Sequence, residues 1–382
     1  MDGVKITYVT PVKFGNTLFA HARINLGKAL IEEGFAFNLI APKTEQADQL
    51  LTRNEIPHRL YSWRKIPGLN TLSMSRAAYE ELKNLISEDP PDIVISELRI
   101  SSKISSLFEG EGTPFLVIDD RSPPVMNNLL GKLQMFHYDR VVPRIMKNAD
   151  AVIVQNSQHR DFLLNRFNTK FPDFINCGGG VEHARFSKVK KSNSGNFQIV
   201  YAGSLVRERG LIQLLRAVEE ANSSGLKIKL ITTGKGKLSN KLAKLSKQSG
   251  WLEHRGFVSD QKYEELLLSS DIGVVPHPDS LAWRICSPLK LKEYAAAGLV
   301  VFATDLPSHR DLGEKEWLFL LDPNDFSSDF SKKIKHLESI ARISQLSELA
   351  REDSQAYSWK KSIEEIRSWV SSKMANHRSL IS

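Results

Sequence analysis

Short apolar runs alternate along this chain with longer segments of helical period, and that alternation restricts it to parallel sheets crossed by helices. The first stretch shows the pattern. Ile6-Thr7-Tyr8-Val9 reads as a buried strand, a loop with Pro11 and Gly15 follows, and Leu18, Ala22, Leu26, Ala29 and Leu30 form one helical stripe that stops at Gly34. Further strands are expected at 37–40, 93–96, 115–118 and 151–154, with a helix over 77–86 among them. A second series starts at 198–201 and continues at 228–232, 272–275 and 300–303. The expected fold class is α/β, with two doubly wound domains of one architecture.

Between the two series, 188–196 is polar, charged and without apolar period, so it reads as a linker. The 382 residues amount to two or three domains at about 100–200 residues each. The expected domains are 1–187 and 197–356, joined by 188–196, with 357–382 as a closing helix that can pack back on the first domain. Open α/β sheets bind ligands at the carboxyl ends of their strands, so function is expected in the strand-to-helix loops, in a cleft between the domains.

Apolar residues make up 41% and charged residues 25%, which sets aside disordered, collagen-like and coiled-coil classes. The net charge of +8 suits an anionic partner, whether a nucleotide phosphate, a membrane surface or a nucleic acid. The cysteines Cys177 and Cys286 offer neither a disulfide scaffold nor a Cys-x-x-Cys spacing, so a reducing compartment is expected. The N-terminus shows no leader pattern, and the longest strongly apolar stretch, 295–303, falls far short of the ~20 residues a membrane-spanning helix needs. A cytoplasmic protein is expected, with any membrane contact peripheral at the inner face.

Two loops are suited to binding an anion. The first, 201–210, puts Arg207 and Arg209 beside a glycine turn. Glycine permits close backbone approach, and a guanidinium fork matches phosphate oxygens; an ordinary loop with solvated arginines fits the same residues. In the second, Ser287 before Pro288 reads as a helix start, with serine as cap and proline at the first helical position. The amides and dipole of that first turn attract phosphate. Lys290 and Glu293 lie three apart on one face, placed to address one ligand or to pair with each other on a normal helix.

Glycine or proline loops recur at Thr232-Thr233-Gly234-Lys235-Gly236, His254-Arg255-Gly256-Phe257-Val258 and Val275-Pro276-His277-Pro278-Asp279. In this order the series resembles the retaining glycosyltransferases of family four, over almost the whole chain and most strongly from Tyr201 to Asp311. The resemblance implies a GT-B fold, two Rossmann-like domains facing each other across a cleft, and a nucleoside diphosphate sugar as donor. The family's diphosphate loop reads Gly-Arg-Leu, three residues, Lys-Gly. Here Gly203 and Gly210 match, Arg209 takes the lysine position, and Ser204 replaces the arginine, with Arg207 close by. Of the family's two glutamates, the second, a ribose contact, is present as Glu293, while Ile285 stands at the first. Ser287-Pro288-x-Lys290-x-x-Glu293-Tyr294 looks like a subgroup without that first glutamate.

Phe14-Gly15-Asn16 resembles the family's first glycine loop, and 175–182 with Phe186 resembles the end of its first domain. Where the family has a histidine facing the donor sugar, this chain has Asp119-Asp120-Arg121. Either Asp120 or Arg121 replaces it, or an aspartate caps the loop. The implied donor site is Gly15, Asn16, Gly203, Ser204, Arg207, Arg209, Ser287, Pro288, Leu289, Lys290 and Glu293, with Gly256 and Phe257 towards the base. The implied catalytic set is Arg209, Asp120 and Arg121.

His21, His137, His254, His277 and His309 lack the one-turn spacing of a zinc pair, and no Asp-x-Asp occurs, so neither a metal nor another cofactor is expected. The first strand is not followed by Gly-x-Gly-x-x-Gly, which argues against a dinucleotide oxidoreductase. Seven lysines and no acid lie between Glu220 and Glu253, with Lys241, Lys244 and Lys247 reading as a solvated helix face. The segment 61–67 mixes aromatic and cationic groups and suits a membrane surface or an anionic lipid acceptor. An aromatic-basic strand motif for nucleic acid is missing, and no nucleic-acid partner is expected. The resemblance implies transfer of a sugar, with retention, to a hydroxyl of a glycan, lipid-linked or small-molecule acceptor. The alternative is a degenerate GT-B scaffold that binds without transfer.

Overall fold

The computed structural model describes residues 3–15, 18–66, 69–110, 112–121, 123–125, 129–186, 197–340 and 343–381. The chain divides into two compact units, Met1–Gly180 with Trp359–Ser382, and Val181–Ser358. Asn16, Pro67 and the stretch 188–196 lie outside the described residues.

The first unit is built on strands β1 (Lys5–Val9), β2 (Ala36–Pro42), β3 (His58–Tyr61), β4 (Ile93–Glu97), β5 (Phe115–Asp119), β6 (Ala151–Val154) and β7 (Asp173–Asn176). They pair in the order β3-β2-β1-β4-β5-β6-β7, parallel throughout. Alternate side chains feed two layers: Ile93, Ile95 and Val117 join one apolar core, while Val94, Leu116 and Ile118 join the other. Helices on both faces cover these layers, which explains the continuous apolar runs.

The second unit carries β8 (Phe197–Ala202), β9 (Ile228–Thr233), β10 (Leu252–His254), β11 (Ile272–Val275), β12 (Val300–Thr304) and β13 (Leu318–Leu321). Its order is β10-β9-β8-β11-β12-β13, again all parallel. In each sheet the winding reverses beside the first strand, between β1 and β4 and between β8 and β11. That switch point opens a crevice at the carboxyl ends, where the loops after β1, β8 and β11 emerge.

The C-terminal segment completes the first unit. Trp359, Ile363, Ile366, Trp369 and Val370 belong to the same core as β1. The Trp369 ring meets Phe115 edge-on at 6.0 Å, and its Nε1 donates to Asp173 at 3.0 Å. Gly180 admits this return, since a Cβ there would lie 2.5 Å from the Cα of Trp359. Ile363 is fully buried, so Ile363→Ala is expected to destabilise the first unit by about 2–5 kcal/mol. Chemical denaturation checks this, and a loss below ~1 kcal/mol would show that the segment is not part of the core.

Candidate functional site

The carboxyl rim of the second sheet gathers most of the residues singled out from the sequence. Its first loop leaves β8 at Gly203 and ends at Gly210, where φ is +74° and a Cβ would stand 1.5 Å from the Pro276 carbonyl oxygen. A glycine is required there. Ser204 and Arg207 are exposed, and Arg209 is half-buried. The Arg209 guanidinium lies 4.9 Å from the Trp283 ring centre, and the Trp283 Nε1 donates to the Glu208 carbonyl at 2.9 Å. One indole therefore fixes both the cation and its loop.

The neighbouring loops are laced to it by backbone hydrogen bonds. Leu205 N donates to the Lys235 carbonyl and Leu238 N to the Leu205 carbonyl, both at 2.9 Å. The Gly256 carbonyl accepts from Gly234 N at 2.8 Å and from Thr233 Oγ1 at 2.7 Å. Phe257 projects beyond this point, exposed, with the Lys235 ammonium 4.3 Å from its ring. The lysines 241, 244 and 247 are exposed along the helix Ser239–Gln248.

Glu293 is the buried charge of the rim. It sits on the helix Leu289–Ala296 with 6% exposure, and its Oε2 accepts from Lys290 Nζ at 2.6 Å and from Tyr263 at 2.9 Å. Lys290 Nζ also lies 3.0 Å from the Tyr263 oxygen. Burial pushes the carboxyl up, but the charge of Lys290, the two hydrogen bonds and Arg185 outweigh it and hold the group below its ordinary value. Glu293 is thus ionised at neutral pH, and its Oε1 accepts no hydrogen bond among the described residues. Tyr294 links the two parts of the rim. Burial raises its pKa, and its hydroxyl feels both Glu293 and Arg209.

The helix start differs from the expectation. Pro288 is the N-cap and the helix begins at Leu289, with no side-chain cap hydrogen bond. Ser287 is therefore not the capping side chain, because Pro288 at φ −81° and ψ 71° already stands outside the helical region. Ile285, at the place of the family's first glutamate, is buried.

Two histidines, dispersed in sequence, come together beside Trp283. His277 stacks on the indole at 3.8 Å, and its ring centre lies 5.7 Å from that of His309. The His309 Nδ1 donates to the Thr304 carbonyl at 2.7 Å. Burial lowers the pKa of both rings; for His277 the charges of His309 and Arg209 add to the effect, and His309 is pushed down to about 4.

The carboxyl rim of the first sheet holds a separate buried network. Glu97 Oε1 accepts from Arg23 Nε at 2.8 Å, Thr10 at 2.5 Å and Tyr8 at 3.3 Å. Tyr8 also reaches Asp119 at 2.5 Å, and Arg121 Nε donates to the same Asp119 oxygen at 2.7 Å. Burial works against the Arg121 charge and Asp119 outweighs it. Asp120 Oδ2 accepts from Tyr138 at 2.5 Å and lies 3.2 Å from His159 Nε2. Both Asp120 and Arg121 are thus bound to buried partners. Gly15 follows buried Phe14, and a Cβ on it would lie 3.1 Å from Gln46 Oε1.

Sequence reasoning missed Tyr263, Trp283, Arg23 and Glu97. The signal for Trp283 was a large aromatic beside a proline-histidine loop; Arg23 and Glu97 meet only through the β1–β4 pairing. Among the described residues there is no group of three or more potential metal ligands, and no helix is long and apolar enough to cross a membrane.

Residues 196–339 match the family model described as glycosyl transferases group 1. The chain also superposes on solved glycosyltransferases over nearly its full length. The fold is that of the GT-B glycosyltransferases. Sucrose-phosphate synthase from Thermosynechococcus elongatus matches with a TM-score of 0.72 at 15% identity, covering 97% of this chain and 99% of that one. HepE from Anabaena, solved with UDP and glucose, matches with a TM-score of 0.70 at 14% identity, covering 97% and 100%. A glycosyltransferase from Rickettsia africae gives 0.72 at 15% identity, covering 96% and 98%. A comparison with curated protein sequences gives no match. In the GT-B frame, the Arg209 and Glu293 rim lies in the unit that the family model covers.

The neutral His309 makes this rim sensitive to acid. Its folded pKa of about 4 lies below the ordinary 6.5, so the unfolded chain takes up the proton first. Stability is full above pH 6.5 and is lost as pH falls towards 4. His309→Asn, which keeps a donor for the Thr304 carbonyl, is expected to flatten the fall of Tm over that interval. An unchanged slope in a thermal-melt series would show that His309 does not carry it.

Proposed function

We propose that this chain is a retaining glycosyltransferase of family four that moves a sugar from a nucleoside diphosphate sugar to a hydroxyl of a glycan, lipid-linked or small-molecule acceptor. It works in the cytoplasm without a bound metal. The observation that carries the reading is Glu293, a buried and ionised carboxylate with one oxygen committed to Lys290 and Tyr263 and the other open to a ligand hydroxyl. A desolvated charge kept half unsatisfied at a strand-end rim is what recognition of a ribose diol requires.

As the anomeric bond breaks, the leaving diphosphate gains negative charge. Cations and amides already oriented towards it lower the barrier, because they act on charge present mainly in the transition state. Arg209, steadied by Trp283, takes that role, with the amides at the start of the helix Leu289–Ala296 and Lys290 beside it. Gly256 and Phe257 stand at the base end. Neighbouring structures were solved with UDP, HepE from Anabaena and the pneumococcal O-GlcNAc transferase GtfA among them, which makes UDP the first donor nucleotide to test. Ser204 and Ile285, where the family has an arginine and a glutamate, favour a second reading, a scaffold that binds nucleotide without transfer.

Arg209→Ala is expected to reduce turnover on the order of 100-fold. Assays of sugar transfer and of donor hydrolysis check this; unaltered turnover in the folded variant would remove Arg209 from the diphosphate site, and neither reaction in the parent protein would favour the scaffold. Glu293→Ala is expected to weaken UDP binding by about 10- to 100-fold, the loss of one charge-assisted hydrogen bond to a ligand. Titration calorimetry measures it, and equal affinity in both proteins would exclude the ribose contact.

A further inference from the structure

Ten of the twelve exposed large apolar side chains among the described residues belong to the first unit. Nine of these sit in the segments that follow three strands: two after β1, three after β3 and four after β5. Because the strands are parallel, the segments emerge on one rim of the sheet. Single exposed leucines are ordinary on a protein surface, whereas a concentration on one edge marks an interaction site.

After β3, a groove of about 400 Å³ runs between 62–66 and one face of the helix Asn70–Glu88. Trp63, Ile66, Leu69 and Leu72 line its apolar end, and Arg64 and Arg76 line the rest. Arg64 N donates to Ser73 Oγ at 3.1 Å, which seats the first arginine one helical turn from the second. Glu80, the acid that lines the groove, faces Lys103 at 3.6 Å. After β5, the helix Leu129–Ile145 buries Tyr138, Val142 and Ile145 on its inner face. Its outer face presents Leu129, Leu133 and Phe136 in one stripe that ends on Arg140, whose guanidinium lies 4.0 Å from the Phe136 ring. Leu129 is 76% and Phe136 55% exposed.

Apolar side chains interleaved with long cationic ones along an edge fit the boundary between headgroups and acyl chains. The leucines enter the hydrocarbon while the guanidinium groups remain with the phosphates. A protein partner would select a compact apolar centre depleted of charge and ringed by polar groups, which this rim is not. We propose that the β1/β3/β5 rim of the first unit docks on an anionic bilayer, and that the groove between Arg64 and Leu72 receives the phosphate and upper chain of one of its lipids. The surface works without donor or acceptor, so it stands apart from the transferase reading.

Flotation with vesicles tests it directly. The full chain is expected to bind vesicles of phosphatidylcholine with phosphatidylglycerol, less at high salt, and to leave pure phosphatidylcholine vesicles unbound. The pairs Arg64→Gln with Arg76→Gln, Leu69→Ser with Leu72→Ser, and Leu133→Ser with Phe136→Ser are each expected to reduce partitioning by about 10- to 30-fold, while circular dichroism and the thermal melt stay those of the parent protein, which shows that the first unit is still folded. No binding to anionic vesicles overturns the proposal. So does a loss confined to the arginine pair, which would reduce the contact to diffuse charge attraction. A dimer in sedimentation that Leu133→Ser with Phe136→Ser dissolves would make the rim a protein interface instead.

Discussion

Both sheets are parallel throughout, and a parallel sheet covered by helices leaves its strands no polar face. The charged groups that the chain brings inside are displaced to strand ends, where loops and helix starts supply donors. Glu97 with Arg23 at the end of the first sheet and Glu293 with Lys290 at the end of the second are the outcome. Removing one partner of such a buried pair costs about 3–5 kcal/mol, yet the pair itself adds little stability over apolar packing. Their contribution is position. A carboxylate that cannot leave its cation holds its remaining oxygen in one place, which is the property a binding site needs.

The central strands were legible because they are apolar on both faces. The expected runs at 151–154 and 272–275 coincide with β6 and β11, and the others differ from their strands by a residue or two. The four strands that reading passed over, β3, β7, β10 and β13, are the four sheet edges. Three of them have polar sequences, His-Arg-Leu-Tyr, Asp-Phe-Ile-Asn and Leu-Glu-His, because an edge needs only one neighbour and tolerates solvent. Leu318–Leu321 is apolar, but so short a run is equally consistent with a buried helical turn.

The site was legible where it is local. Lys290 and Glu293 share a helix face by their spacing alone, and Gly210 announces a turn that no other residue can make. What could not be read is tertiary. Tyr263 reaches Glu293 from 30 residues away, and Trp283 reaches Glu208 from 75. The same holds for Asp120. Its sequence context left open a sugar contact or a loop anchor, and only the fold shows Tyr138 and His159 closing on it.

The first unit is closed by residues 359–382, so the second unit is an insertion within it. On the ribosome the two therefore mature in the reverse of their order in sequence. Everything from Val181 to Ser358 is available to fold while the earlier sheet still lacks Ile363, Ile366 and Trp369. Domains generally fold as units as they emerge, and contacts across long loops form late. The second unit thus forms first, and the sheet with the apolar rim acquires its full core only when the last helix arrives.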